Sequence, residues 1–231
     1  MVMLGFRPIG GQHSRRASQA PTLSTTPIDE VLVNTVAYSI YMAKSHPVKI
    51  GKLRVLSSRT VFRGPVFQVT RDEVQEPSGI RAKRDIVRHP GSVVVLAIDD
   101  SQQEPRVLLE RQFRYAARQN LWELPAGRID EGESELAAAK RELIEETGYT
   151  AAQWKKLVKY YASPGFIDET MSIYLARDLH RGTAQPEDDE VIRTRLFSLS
   201  DTLQMIARGK IFDGKTIIGV LWFQQQHSSP T

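Results

Sequence analysis

Gly127-Arg-Ile-Asp-Glu-Gly-Glu-Ser-Glu-Leu-Ala-Ala-Ala-Lys-Arg-Glu-Leu-Ile-Glu-Glu-Thr-Gly-Tyr149 is the stretch on which the reading of this chain turns. Its second half predicts a helix over 135–147, with Ser134 placed to cap the first turn and Gly148 to stop the last. At about 3.6 residues per turn, Leu136, Ala137, Ala139, Leu143 and Ile144 form an apolar arc expected to bury against a sheet. Glu142, Glu145 and Glu146 fall on an adjacent arc of roughly 100°. One short rigid element therefore carries three carboxylates beside its buried face.

Carboxylates that close raise one another's pKa unless positive charge intervenes. Arg141 precedes Glu145 by one turn and can neutralise one of them. A divalent cation is the natural partner for the rest. Hard oxygen donors without His or Cys suit Mg²⁺, or Mn²⁺ in its place, rather than zinc. Taken alone, such a face is solvent surface more often than metal site. The residues before the helix change that balance. Leu124-Pro-Ala-Gly127 reads as a turn in which Gly127 lets the backbone pass close to a ligand, and Glu133 follows six residues on.

Outward from this stretch the pattern is one of short strands. Leu53–Arg59, Val61–Thr70 and Ile80–His89 are β-rich and broken by Arg-Gly-Pro (63–65) and Pro-Ser-Gly (77–79) turns. Gly91–Ile98 reads as a buried strand with Arg106–Phe113 as its hairpin partner. Strands near Trp154–Ala162 and Met171–Leu179, an acidic loop at Glu187–Glu190, a strand at Val191–Ser198 and helices over 200–209 and 213–225 complete the pattern. Mixed strands with a few helices predict an α/β (α+β) layered fold.

The chain has 231 residues, of which 41% are hydrophobic and 25% charged, enough for a sizeable core without covalent staples. The absence of cysteine removes disulfides, zinc–thiolate sites and cysteine nucleophiles, and suits a reducing cytoplasm. No apolar run approaches the roughly 20 residues of a membrane span. The net charge of +4 is spread without a basic stripe, which argues against a nucleic-acid partner and suits a small phosphorylated substrate. Residues 1–28 are Arg- and Ser-rich without an acidic residue, so they read as a leader, with an organelle transit peptide left open. A short amphipathic helix is expected within 29–46. The expected domains are thus a leader over 1–46, an N-terminal β region over 47–90 and a main domain over 91–226.

The spacing G-x5-E-x7-R-E-L-x-E-E-x-G over 127–148 resembles the Nudix box, with Tyr149 in place of the usual aliphatic residue. The resemblance implies a Nudix-type α/β/α sandwich around a mixed sheet, with an N-terminal antiparallel β extension, and hydrolysis of a nucleoside diphosphate linked to a further group. By position it implies that Glu142 and Glu146 bind Mg²⁺ with the carbonyl of Ala126. Glu145 would bind metal or activate water, while Gly127, Glu133 and Arg141 support the box. The flanks Arg111-Gln-Phe-Arg114, Trp122–Gly127 and Ser163-Pro-Gly-Phe166 resemble the ADP-ribose pyrophosphatase branch, in which Pro164 sits sixteen residues beyond Gly148. That branch implies Arg114 on a substrate phosphate, and Pro164 and Gly165 at the terminal ribose. It places a general base in Gln185–Glu190, with Glu190 ahead of Glu187. It also implies a homodimer formed through residues 49–89, with Phe62, Phe67 or Trp122 stacking on the base. Two rivals stay open: another substrate, such as a GDP-sugar or an FAD-type dinucleotide, and a Nudix-fold binding module without catalysis.

Overall fold

The computed structural model describes residues 52–184 and 191–228. The expected leader over 1–46, its helix at 29–46, and both Glu187 and Glu190 lie outside the described residues.

Three strands, β1 (Arg54–Arg63), β2 (Gln68–Gln75) and β3 (Arg81–Arg88), form an antiparallel sheet in that order. The expected break between Arg59 and Val61 is instead continuous strand. Register shifts at Val55/Ser57 and Thr60/Phe62 absorb the irregularity, so pairing runs on to Arg63. The Gly64-Pro65 turn then closes the hairpin, with Gly64 N–H donating to Phe67 O.

A second sheet contains β4 (Ser92–Asp99), β5 (Arg106–Arg114), β6 (Gln119–Glu123), β7 (Ala126–Arg128), β8 (Tyr149–Tyr161), β9 (Thr170–Arg181) and β10 (Arg193–Ser198). Its order is β10-β5-β4-β9-β8, with β6 on β5 and β7 on β4. The β4–β9 pair is parallel and its neighbours antiparallel, so the sheet is mixed. Parallel pairs are buried on both faces, and the Val93–Ile98 run supplies apolar residues to each. Val93, Val95 and Ala97 meet Ala138, Ala139 and Leu143 of α1 (Glu135–Thr147). Val94, Leu96 and Ile98 share the opposite core with Leu199, the first residue of α2 (Leu199–Ala207), and with Val220 and Phe223 of α3 (Gly214–Ser228). Burying each such side chain stabilises by about 1.5–3 kcal/mol. The result is the expected α/β/α sandwich, with an antiparallel N-terminal sheet.

Two local expectations are corrected. Residues 124–127 are more than a turn, because Ala126–Arg128 pairs with Ser92–Val94 as β7. The buried stripe of α1 is also rotated. Leu136 and Ile144 are exposed, while Ala138, Ala139, Glu142, Leu143 and Glu146 face inward. The sheet admits small side chains at the closest approach, and this turns two carboxylates toward it.

Candidate active site

The helix that carries the glutamates is fixed at both ends. Ser134 Oγ accepts from Ala137 N at 3.2 Å. Gly148 ends the helix at φ +73, with its N–H on Ile144 O. A side chain at Gly148 would also strike the backbone of Thr183 and Ala184, so only glycine serves there.

Within this frame Arg141 gathers the acidic groups. Its Nε and Nη2 donate to the two carboxylate oxygens of Glu133 at 3.1 and 3.0 Å. Nη1 reaches Glu142 at 2.7 Å and Glu145 at 3.0 Å, and Nη2 also reaches Arg128 O. Arg141 thus bonds three carboxylates, where helix spacing alone offers the single i,i+4 pair with Glu145. The bond from Arg141 holds the Glu133 carboxyl below the usual carboxylate range. Glu146 takes a different partner, accepting from Ala126 N at 3.0 Å. Gly127 lies against Glu142, and a Cβ built there would fall inside that carboxylate. The glycine therefore makes the cradle in which the Glu142 carboxylate lies.

Ala126, Gly127, Arg141, Glu142, Glu145 and Glu146 line one cleft of about 420 Å³ with Val66, Arg114, Arg128 and Asp130. Arg114 is held bidentately by Glu123, Nε and Nη2 each at 2.9 Å. Val66 belongs to the β1–β2 turn, so the N-terminal sheet contributes a wall of this cleft. A second cavity of about 520 Å³ lies between Arg63–Gln68 and Arg88–Pro90. Phe67 lines it, 5.7 Å from the Phe62 ring. Trp122 is elsewhere: half-buried, it packs edge-on to Phe197 at 4.9 Å and against the core. Pro164 and Gly165 are exposed in a turn outside the glutamate cleft. That turn is docked on β3 by Val87 N to Phe166 O and Asp168 N to Val87 O.

Among the described residues no three His, Asp or Glu side chains already converge as a closed metal site. The donor set nevertheless fits a hard divalent cation: oxygen ligands only, a glycine cradle, and more acid than Arg141 can balance. Behind the cleft are residues that sequence reasoning missed, namely Glu110, Glu123, Asp213 and Lys215. Glu110 is fully buried. Burial and the neighbouring Glu123 charge push its pKa up to about 7, against the opposing charges of Lys215 and Arg114. The available signal was a glutamate ending the apolar Val107–Leu109 run of a buried strand.

Comparison with known proteins settles what this arrangement belongs to. Residues 88–218 match the NUDIX domain, and residues 54–87 match the nucleoside diphosphate sugar hydrolase N-terminal domain. The chain belongs to the Nudix family. A methanol dehydrogenase activator of Bacillus methanolicus is 36% identical over 184 residues, 78% of this chain and 98% of that protein. An ADP-ribose pyrophosphatase of Bacillus subtilis is 34% identical over 173 residues, covering 74% and 92%. A GDP-mannose pyrophosphatase of Klebsiella pneumoniae is 33% identical over 187 residues, covering 77% and 91%. The crystal structure of an ADP compounds hydrolase shares the fold, with a TM-score of 0.68 at 21% identity over 77% of this chain and 95% of that one. This Nudix protein is a pyrophosphohydrolase, cleaving the diphosphate of a nucleoside diphosphate joined to a further group.

Proposed function

We propose that this Nudix enzyme hydrolyses ADP-ribose to AMP and ribose 5-phosphate with Mg²⁺. The observation that carries it is the single cleft in which Arg114 and Arg141 meet Glu142, Glu145 and Glu146 over Gly127. Relatives named ADP-ribose pyrophosphatase support the substrate. Glu142 and Glu146 would hold the cation with the carbonyl of Ala126, and Glu145 would be a further ligand or orient the attacking water. Bound there, the cation neutralises the diphosphate and lowers the pKa of the attacking water. With its Nε–Nη2 edge on Glu123, the guanidinium of Arg114 offers its Nη1 side to phosphate oxygens. Arg141 and Glu133 keep the carboxylates oriented, as supporting residues do around a metal. Glu190 or Glu187 takes the water's proton as its oxygen bonds to phosphorus and the bridging P–O bond breaks. Pro164 and Gly165 bound the ribose end, and Phe67, with Phe62 beside it, supplies the apolar wall for the base.

The enzyme acts as a homodimer in the cytoplasm. All ten residues of β1 are exposed, Val55, Val61 and Phe62 among them, on an edge strand that a second copy would cover. No helix among the described residues is long and apolar enough to cross a membrane. The discriminating experiment is mononucleotide release from ADP-ribose, GDP-mannose and FAD with and without Mg²⁺. ADP-ribose is expected to give the largest kcat/KM, and a larger value for GDP-mannose or FAD rejects this substrate.

A further inference from the structure

Behind the cleft lies a charged cluster to which the proposed reaction gives no role. Glu110 and Glu123 stand directly opposite one another on β5 and β6, both almost wholly buried. Like charges so placed are destabilising, and burial deepens the cost. Two cations converge on the pair. Arg114 grips both oxygens of Glu123 from one side, and Lys215 of α3 donates to Glu123 Oε2 from the other.

Lys215 is itself tied down. It is only 9% exposed, and its second bond goes to Asp213 Oδ1 at 3.0 Å. Asp213 Oδ2 accepts from Thr216 N at 3.0 Å and from Thr216 Oγ1 at 2.6 Å. Thr216 Oγ1 in turn accepts from Leu124 N at 2.8 Å, the residue next to Glu123. The start of α3 is thereby locked to the last residue of β6, Glu123, and to Leu124 just beyond it. Glu123 Oε2 is shared between Arg114 Nη2 and Lys215, so the carboxylate cannot swing without losing a cation. The Nε–Nη2 edge of Arg114 is consequently fixed, and the Nη1 edge is the one a phosphate can take.

We propose that Lys215 is a positioning residue for diphosphate binding: it locks Glu123, and through Glu123 it holds Arg114 in the orientation that receives a phosphate. This rests on the reading of Arg114 as a phosphate contact. A guanidinium ordered before the ligand arrives loses less entropy on binding. Removing Lys215 leaves Arg114 free to follow a carboxylate that has lost half its anchor.

The test compares Arg114→Ala, Lys215→Met, Lys215→Arg and the Arg114→Ala/Lys215→Met double variant. The readouts are kcat and KM for ADP-ribose with Mg²⁺, and calorimetric affinity for ADP. Lys215→Met is expected to raise KM and weaken ADP about tenfold, moving kcat by less than about threefold, while Lys215→Arg restores most of the loss. In the Arg114→Ala background, Lys215→Met is expected to add nothing, since it acts through the missing guanidinium. A Lys215→Met effect that persists undiminished in that background marks a general structural role and overturns the proposal. So does a silent Lys215→Met beside a damaging Arg114→Ala. If Arg114→Ala itself leaves ADP affinity unchanged, the phosphate reading of Arg114 fails first, and the positioning role falls with it. Should Lys215→Met not fold, Asp213→Asn carries the same test, because asparagine still caps α3 while loosening Lys215. A KM raised about threefold supports the role, and a wild-type KM overturns it.

Discussion

The two ends of α1 carry the same kind of side chain under opposite charge balance. At the first turn Glu135 meets two cations, Lys156 and Lys159 of β8, and a hydroxyl from Tyr174. It also sits at the positive end of the helix dipole. In the last turns the ratio inverts. Arg141 is one cation shared by Glu142 and Glu145, drawn on as well by Asp130 and Glu133 of the loop before the helix, and the final turn has no basic residue to offset its negative dipole end. Glu142 and Glu146 are moreover turned into the buried face. The first end is overcompensated, which suits a structural contact. The second is short of positive charge inside a cleft, which is what a cation site needs. Composition does not distinguish the two ends; partner count and burial do.

The sharpest way to break that contrast is to remove charge at the second end. Glu146→Gln is nearly isosteric and keeps an acceptor for Ala126 N. We expect it to lower Mg²⁺-dependent turnover by about 10²–10³-fold, the scale of losing one preorganised electrostatic contact. Circular dichroism should remain native. Turnover within about threefold of wild type would show that the excess charge is not used. Next in size is Gly127→Ala, which adds no charge but fills the Glu142 cradle. That carboxylate must swing away from Arg141, and kcat/KM is expected to fall about 10–100-fold, as misplacing a catalytic group by about an ångström does. Unchanged steady-state kinetics in this variant would mean that the cradle does not set the Glu142 position.

Legibility in the sequence followed the range of the contacts. The box was readable because Glu142, Glu145 and Glu146, the cap and the stop glycine all belong to one helix and its ends. The core strand Val93–Ile98 was readable because a continuous apolar run needs two covered faces. The face that α1 buries was not, since the sheet decides it: Leu136 and Ile144 look apolar yet stay exposed, and Glu142 and Glu146 turn inward. The short strand β7 was hidden for a similar reason, its backbone partners lying far back in β4. The Glu123–Lys215 contact spans 92 residues, and neither side chain carries a local mark of it. The loop holding Pro164 and Gly165 was readable as a turn, but its docking on β3 through Val87 and Phe166 was not. Residues that act through long-range partners are the ones a linear reading loses.

The first end of α1 offers the smallest and most selective test. Burial pushes the Glu135 pKa up, but hydrogen bonds from Lys156 and Lys159 more than offset it, leaving it at about 2. A folded-state pKa below the unfolded value of 4.5 means that the folded protein holds this proton less tightly. Its contribution is therefore fully present above about pH 4.5 and is lost as pH falls toward 2. Discounted for solvent screening around the half-exposed lysines, that contribution is on the order of 1–2 kcal/mol. Glu135→Gln should lower stability by this amount at pH 7 and flatten the part of the acid limb that Glu135 supplies, with kcat at pH 7 unaffected. Urea melts of both proteins between pH 7 and pH 3 measure it. Identical slopes would mean that the two lysines do not discriminate between the charged and neutral carboxyl, and that the overcompensated end contributes packing alone. A fall in kcat would mean instead that the two ends of the helix are coupled, and that the carboxylates at its far end depend on how firmly the near end is held.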